Sequence, residues 1–275
     1  MRCDSDFMTD DRRLGFVVLA AIGAYFLAYG VASGIGLELW SSGRFGIPSG
    51  PPRLEPTLAV GTFAGGFVGW RLGGWRGVLA FAAVGVVGAL RHLVPPIQCA
   101  AGDTVACEGM KDLDFVIPQL WLVPGLVLGV LVARFVRVPL PLRTELAALG
   151  VYALTLPFRF VVASLPVYVP FLRSVEGFQQ FLAIDVALVV VGALLAALFL
   201  LRRSARPRRA GLLLAAVFVV VGLLRLDYLL RYSGALETLE LIDQLSDLLA
   251  GALIVLVTAT RASQVRALPV TAAMR

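Results

Sequence analysis

Apolar runs long enough to cross a lipid bilayer recur along almost the whole chain, and no other feature constrains its fold as strongly. A helix rises 1.5 Å per residue, so about 20 apolar residues span the hydrocarbon core. Eight segments read this way: 14–39, 56–70, 77–94, 115–133, 146–172, 178–201, 210–230 and 248–260. The second and eighth are short. The second carries Gly61, Gly65, Gly66 and Gly69, residues that let helix backbones approach closely. The eighth follows Ser246-Asp247, which reads as a helix N-cap with a surface helix before it. Over 275 residues, 59% apolar and 15% charged, the balance is wrong for one water-soluble core and excludes disorder, collagen and a coiled coil. The expected fold is an all-α polytopic transmembrane bundle of about eight helices, forming one integral membrane domain over 1–275.

Charge placement orients the bundle. With the N-terminus in the cytoplasm, the inner segments 1–13, 71–76, 134–145, 202–209 and 261–275 carry sixteen arginines against five acids. The outer segments carry seven basic and twelve acidic residues. The densest inner loop, Arg202-Arg203-Ser204-Ala205-Arg206-Pro207-Arg208-Arg209, joins two apolar segments, where the positive-inside rule places such charge. The acid-rich N-terminal tail runs against the pattern. The expected location is the plasma (inner) membrane, multi-pass, with both termini cytoplasmic. The net charge of +6 then records orientation and gives no reason to expect a nucleic-acid partner. Arg12-Arg13 before the first segment resembles a signal sequence, but the apolar run exceeds the usual signal core, so an uncleaved first helix is expected.

Two of the three cysteines, Cys99 and Cys107, lie eight residues apart in the outer loop 95–114, where an oxidising compartment favours a disulfide. A redox or metal-binding pair is the rival reading; it lacks C-x2-C spacing and further ligands. Acids in that loop (Asp103, Glu108, Asp112, Asp114) and in 234–247 (Glu237, Glu240, Asp243, Asp247) read as a solvated rim rather than a calcium site, because neither stretch has EF-hand alternation. In 234–247, Leu236, Leu239, Ile242 and Leu249 recur at helical spacing and predict an amphipathic helix on the outer surface or against the bundle.

Eight helices starting from the same side divide into four plus four, with halves 14–137 and 146–261. Residues 77–91 and 211–225, at an offset of 134, agree at about half of their positions, Gly88/Gly222 and Arg91/Arg225 among them. Parallel repeats of this kind build transporter folds, and coincidence between low-complexity apolar segments is the alternative.

Charge inside a bilayer is costly, so it points to a site. Arg159 stands mid-way along the fifth segment in Pro157-Phe158-Arg159-Phe160, and Asp185 about two turns into the sixth. Across an outer hairpin the two are able to pair, either locking the hairpin or leaving Arg159 to hold an anion that Asp185 orients. Pro157, Pro166 and Pro170 kink the fifth segment and make it the expected wall of a pocket. Arg91 ends the third segment, and Arg225 and Asp227 end the seventh; they are interface anchors or further members of an outward-facing basic pocket. His92 is the only histidine and Lys111 the only lysine, which excludes a bis-histidine haem, a multi-histidine metal site and a retinal Schiff base within a helix. No phosphate-loop, zincin or nucleophile-elbow motif occurs; Gly69–Gly77 reads as a tight cytoplasmic turn anchored by Trp70 and Trp75.

The expected function is a carrier or binding protein for an anionic or amphiphilic small molecule, a lipid included. Its site lies in the outer half, formed by Arg159, Asp185, Arg91, Arg225 and Asp227. No cofactor, metal or catalytic residue is expected; membrane lipids are the expected surroundings. The alternatives are a non-catalytic subunit bound to partner membrane subunits and, third, an intramembrane lipid-modifying enzyme.

Overall fold

The computed structural model describes residues 4–41, 55–90, 122–156, 158, 175–232 and 238–267. Among these the secondary structure is wholly helical. The elements are α1 (Asp4–Ser41), α2 (Glu55–Leu90), α3 (Leu122–Phe135), α4 (Arg143–Ala153), α5 (Val175–Arg203), α6 (Pro207–Tyr232) and α7 (Thr238–Ala267).

α2 is a hairpin of two helical arms. Gly74 has φ 59° and ψ −147°, backbone space that essentially only glycine enters. Gly69 and Gly77 would stand about 12 Å apart in a continuous helix. Instead a Cβ built on Gly69 would lie 3.3 Å from the Gly77 carbonyl oxygen, and one on Gly65 would enter the ring of Phe81. The glycine-rich turn expected at 69–77 is therefore real, and its pivot is Gly74. A Cβ on Gly74 meets nothing within 4 Å, so substitution costs conformational energy alone. Gly74→Ala is expected to destabilise by about 1–3 kcal/mol. Gly85→Ala, in open space on a regular helical turn, is expected to gain up to about 1 kcal/mol. Denaturant unfolding of the two purified variants checks the contrast.

Two helical stretches are long and apolar enough to cross a membrane, Arg13–Ser33 and Ala183–Arg203; Leu122–Phe135 and Leu245–Thr260 are shorter apolar helices. The eight expected spans thus reduce, among the described residues, to two of that length. The reversal at Gly74, with Arg71 and Arg76 beside it, divides α2. α4 stops at Ala153 after eleven residues: the Leu154 N–H still reaches the Gly150 carbonyl at 3.1 Å, but the Thr155 N–H turns to Tyr152 at 3.0 Å. Pro157, with no N–H to donate, lies four residues beyond Ala153. The N-cap expected at Ser246-Asp247 is corrected. α7 starts at Thr238, so these residues lie inside one continuous helix and the amphipathic stretch before them is its first part.

The interior is built from small residues. Of 23 buried apolar residues among those described, 12 are alanine, and large side chains such as Leu79, Val86, Val127, Leu195, Leu212 and Leu256 face outward. Glycines set the closest crossings. A Cβ on Gly23 would overlap the Leu146 carbonyl, and one on Gly150 would overlap the Leu19 carbonyl, so α1 and α4 cross backbone to backbone. Gly125 and Gly129, one turn apart on α3, sit in the same way on Ala59 and Phe63 of the first arm of α2. The glycines predicted to favour close contact in the second segment do so: Gly61 lies on the Tyr25 ring and Gly66 on Leu126.

One end of the bundle gathers the basic connections. Phe16 at the start of α1, Leu72 in the hairpin turn, Leu140 before α4 and Phe199 near the end of α5 pack around one buried cluster with Ala20, Val68 and Ala147. The Phe16 and Phe199 rings stack at 6.3 Å. An Arg71 Nη2 donates to the Val138 carbonyl at 2.9 Å, tying two connections together, and Arg208 donates to the Ala259 carbonyl at 3.2 Å, tying a third to α7.

Candidate polar site within the bundle

Charge divides between the two ends. Arg13, Arg71, Arg76, Arg134, Arg137, Arg143, Arg202, Arg203, Arg206, Arg208 and Arg209 all flank the connections just described, with Glu145 the single acid beside them among the described side chains. Away from that end the described ionisable groups are acids. Asp185 precedes Phe199 by fourteen residues, about 21 Å along α5, and Asp247 precedes Thr258 by eleven, about 16 Å along α7.

Asp247 takes part in a hydrogen bond between side chains of two distant helices. The Tyr152 hydroxyl donates to its Oδ1 at 3.2 Å, joining α4 to α7 across 95 positions of sequence. Tyr152 is 2% exposed. Its ring meets Phe218 of α6 edge-on, centroids 4.8 Å apart at 83°, and Gly192 of α5 leaves room for it: a Cβ there would stand 3.1 Å from Tyr152 Cδ2. Four helices thus converge on one phenol. The Thr155 hydroxyl donates to the Tyr152 carbonyl at 2.7 Å, satisfying an oxygen near the end of α4, and Ser246 is buried beside Asp247 in sequence. In apolar surroundings an unpaired phenol or carboxylate is costly, so this cluster rests on its hydrogen bonds. Tyr152→Phe keeps the ring packing and removes the donor. It is expected to cost about 1.5–3 kcal/mol, the range for a hydrogen bond to a charged group, read from denaturant unfolding of the purified variant.

Of the residues predicted to bind a ligand, Asp185 is the one whose side chain is described. It is partly buried on α5, one turn before Val189, which lies in the same buried cluster as Tyr152, Phe218 and Ala250. Arg159, Arg91, Cys99 and Cys107 lie outside the described residues, and Arg225 and Asp227 are described only as backbone of α6. The expected pocket along the fifth segment is likewise untouched. A cleft among the described residues lies elsewhere: an open trough of about 510 Å³ between α1 and the first arm of α2, with Leu27, Val31, Ile35 and Val60 on its walls and Leu146 of α4 at its edge. Its lining is wholly apolar, which suits a hydrocarbon chain better than a charged group.

Sequence reading missed the Tyr152–Asp247 pair. Asp247 had a local explanation as a cap, and Tyr152 stood unremarked in an apolar run; only the fold brings them together. Among the described residues no group of three or more metal-binding side chains occurs. No family model, curated protein or solved structure matches the chain.

Proposed function

We propose that the chain is a multi-pass protein of the plasma membrane whose basic end faces the cytoplasm. We propose further that it carries or binds an anionic or amphiphilic small molecule in the outer half of the bundle. The membrane reading rests on one observation above all: the gathering of eleven arginines at one end of a helical bundle. Clustered arginine on the cytoplasmic side is what the positive-inside rule requires. The inverted core agrees with it. Hydrophobic burial does not drive association between helices in lipid, so close backbone contact through glycine and alanine takes its place, and large apolar side chains turn toward the acyl chains. The eight apolar segments then cross the bilayer with Gly74 at an inner turn and both termini inside.

For the ligand, the supporting features are the partly buried Asp185, the neighbouring polar pair and the apolar cleft. In this reading Arg159 of the fifth segment and Asp185 hold the polar group, with Arg91, Arg225 and Asp227 around the mouth. A chain-like part would occupy an apolar trough such as that along α1. Native mass spectrometry of the protein, released gently from membranes, tests this reading. The expected spectrum shows the monomer with a retained acidic or amphiphilic small molecule. A spectrum dominated by a stoichiometric complex with other polypeptides, and no small-molecule adduct, would favour a subunit role instead.

A further inference from the structure

We propose that the surface made by the Gly74 turn and the 136–142 connection binds an anionic phospholipid, its phosphate among arginines and an acyl chain along α3; the site rests on the membrane reading above. Charge is the first observation. The Arg71 Nη2 donates to the Val138 carbonyl at 2.9 Å, which brings the two connections into contact. The other arginines of both lie within five residues of that contact in sequence. Arg76 follows Arg71 by five, and Arg134, Arg137 and Arg143 stand four before, one before and five after Val138. The Arg71 Nε is buried, so Arg71 acts as the tie, while Arg76, Arg134, Arg137 and Arg143 are exposed. Glu145, in the first turn of α4, is the single acid beside them among the described side chains, and α4 starts at Leu142 with no side-chain cap. Four exposed cations and one acid leave a local field that attracts anions.

The second observation is what lies between the arginines. Orientation in a membrane asks only for charge, and the 202–209 connection meets that demand alone: it holds five arginines and no large apolar side chain. The first surface interleaves the two. Trp75 precedes Arg76, Phe135 and Val136 stand between Arg134 and Arg137, and Leu142 precedes Arg143, all of them exposed. Phe135, 79% exposed, is the most exposed large apolar side chain among the described residues. The Arg76 guanidinium stands 5.6 Å from the centre of the Trp75 ring, an aromatic–cation pairing suited to headgroup depth.

The third observation is a continuous apolar strip that leads away from the arginines. α3 packs on the first arm of α2 through Gly125 and Gly129 and turns Leu128, Leu131 and Phe135 outward at i, i+3, i+7 spacing. From Phe135 back to Leu128 the strip runs about 10 Å along the helix. An acyl chain lying on it places its phosphate beside Arg134 and Arg137, whose planar donor forks match phosphate oxygens in pairs. Free phosphate or an acidic peptide would answer the charge and leave the strip uncovered. A phospholipid of negative charge answers both, as basic pockets at the cytoplasmic ends of helices do for lipid headgroups.

The test takes the full-length protein, freed of lipid in detergent, and follows phospholipid added back by native mass spectrometry. Phosphatidylglycerol is expected to bind more tightly than phosphatidylcholine with the same chains; equal binding would overturn the proposal. The triple variant Arg134→Gln, Arg137→Gln, Arg143→Gln is expected to abolish that preference, at about fivefold per arginine. The matched triple Arg202→Gln, Arg203→Gln, Arg206→Gln is expected to keep it, and equal losses from both would mean bulk charge rather than a site. Phe135→Ser keeps every charge and is expected to weaken phosphatidylglycerol binding. Unchanged binding there, or a rise in unfolding midpoint with inorganic phosphate as large as with phosphatidylglycerol, would mean that the anion alone is recognised and would contradict a lipid site. Circular dichroism checks that the variants fold, and Arg137→Glu alone carries the same expectation if the first triple does not. Topology is read from vesicle labelling and the outer ligand from Arg159→Ala, which should leave this lipid in place, so failure here is distinguishable from failure of those readings.

Discussion

Replacing Gly150 with leucine is expected to abolish folded protein, and Gly150→Ala to destabilise it by about 3 kcal/mol. The Leu19 carbonyl that a Cβ at 150 would strike is helix backbone, held by its own hydrogen bonds, so neither partner is able to yield as a flexible side-chain tip would. The reciprocal substitutions at Gly23 strike the Leu146 carbonyl and are expected to behave alike. α1 and α4 would have to separate, breaking the packing of Ala20, Ala24 and Ala147 with them. Gly85→Leu is the control: its Cβ meets nothing within 4 Å, and the protein should tolerate it. Circular dichroism and size-exclusion behaviour of the purified variants report the difference. A folded, monodisperse Gly150→Leu protein would mean that the two helices do not cross as described.

The second large effect concerns the proposed ligand. Arg159→Ala and Asp185→Ala are each expected to remove the bound small molecule from the native mass spectrum while leaving helix content unchanged. Loss of one charge-assisted hydrogen bond, about 1.5–3 kcal/mol, weakens binding roughly 10- to 150-fold. If the two residues served only to lock the hairpin, deleting either would leave a charge uncompensated and cost about 3–5 kcal/mol of stability. The exchange Arg159→Asp with Asp185→Arg separates these roles. A lock is restored by it; a site that holds an anion through Arg159 is not.

Much of the architecture was legible in the sequence because it depends on local pattern. Each of the eight apolar segments falls at least partly on a helix, and the turn at 69–77 was readable because glycine is the residue that permits φ near +60°. The basic connections at 71–76, 134–145 and 202–209 meet at one end, as their charge required. Boundaries were less legible. Ser246-Asp247 has the composition of a cap, yet α7 begins eight residues earlier, since Leu239 and Ile242 continue its apolar stripe. Pairings between distant helices were not legible at all. Tyr152 and Asp247 carry no local signal of each other, and neither do Gly23 and Gly150. Of the expected site, Asp185 alone has a described side chain, so that expectation rests on charge within an apolar segment and on the two variants above.

The central claim is that the basic connections share the cytoplasmic face of a membrane that the chain crosses repeatedly. Its most direct test is cysteine accessibility in right-side-out vesicles. Cys3, Cys99 and Cys107 are replaced by serine, and single cysteines are placed at Leu142, Ser204 and Ser233 in turn. With a membrane-impermeant maleimide, Ser233→Cys should label in sealed vesicles, whereas Leu142→Cys and Ser204→Cys should label only after lysis. Labelling of all three in sealed vesicles, or of Leu142→Cys and Ser204→Cys from opposite faces, would contradict the account.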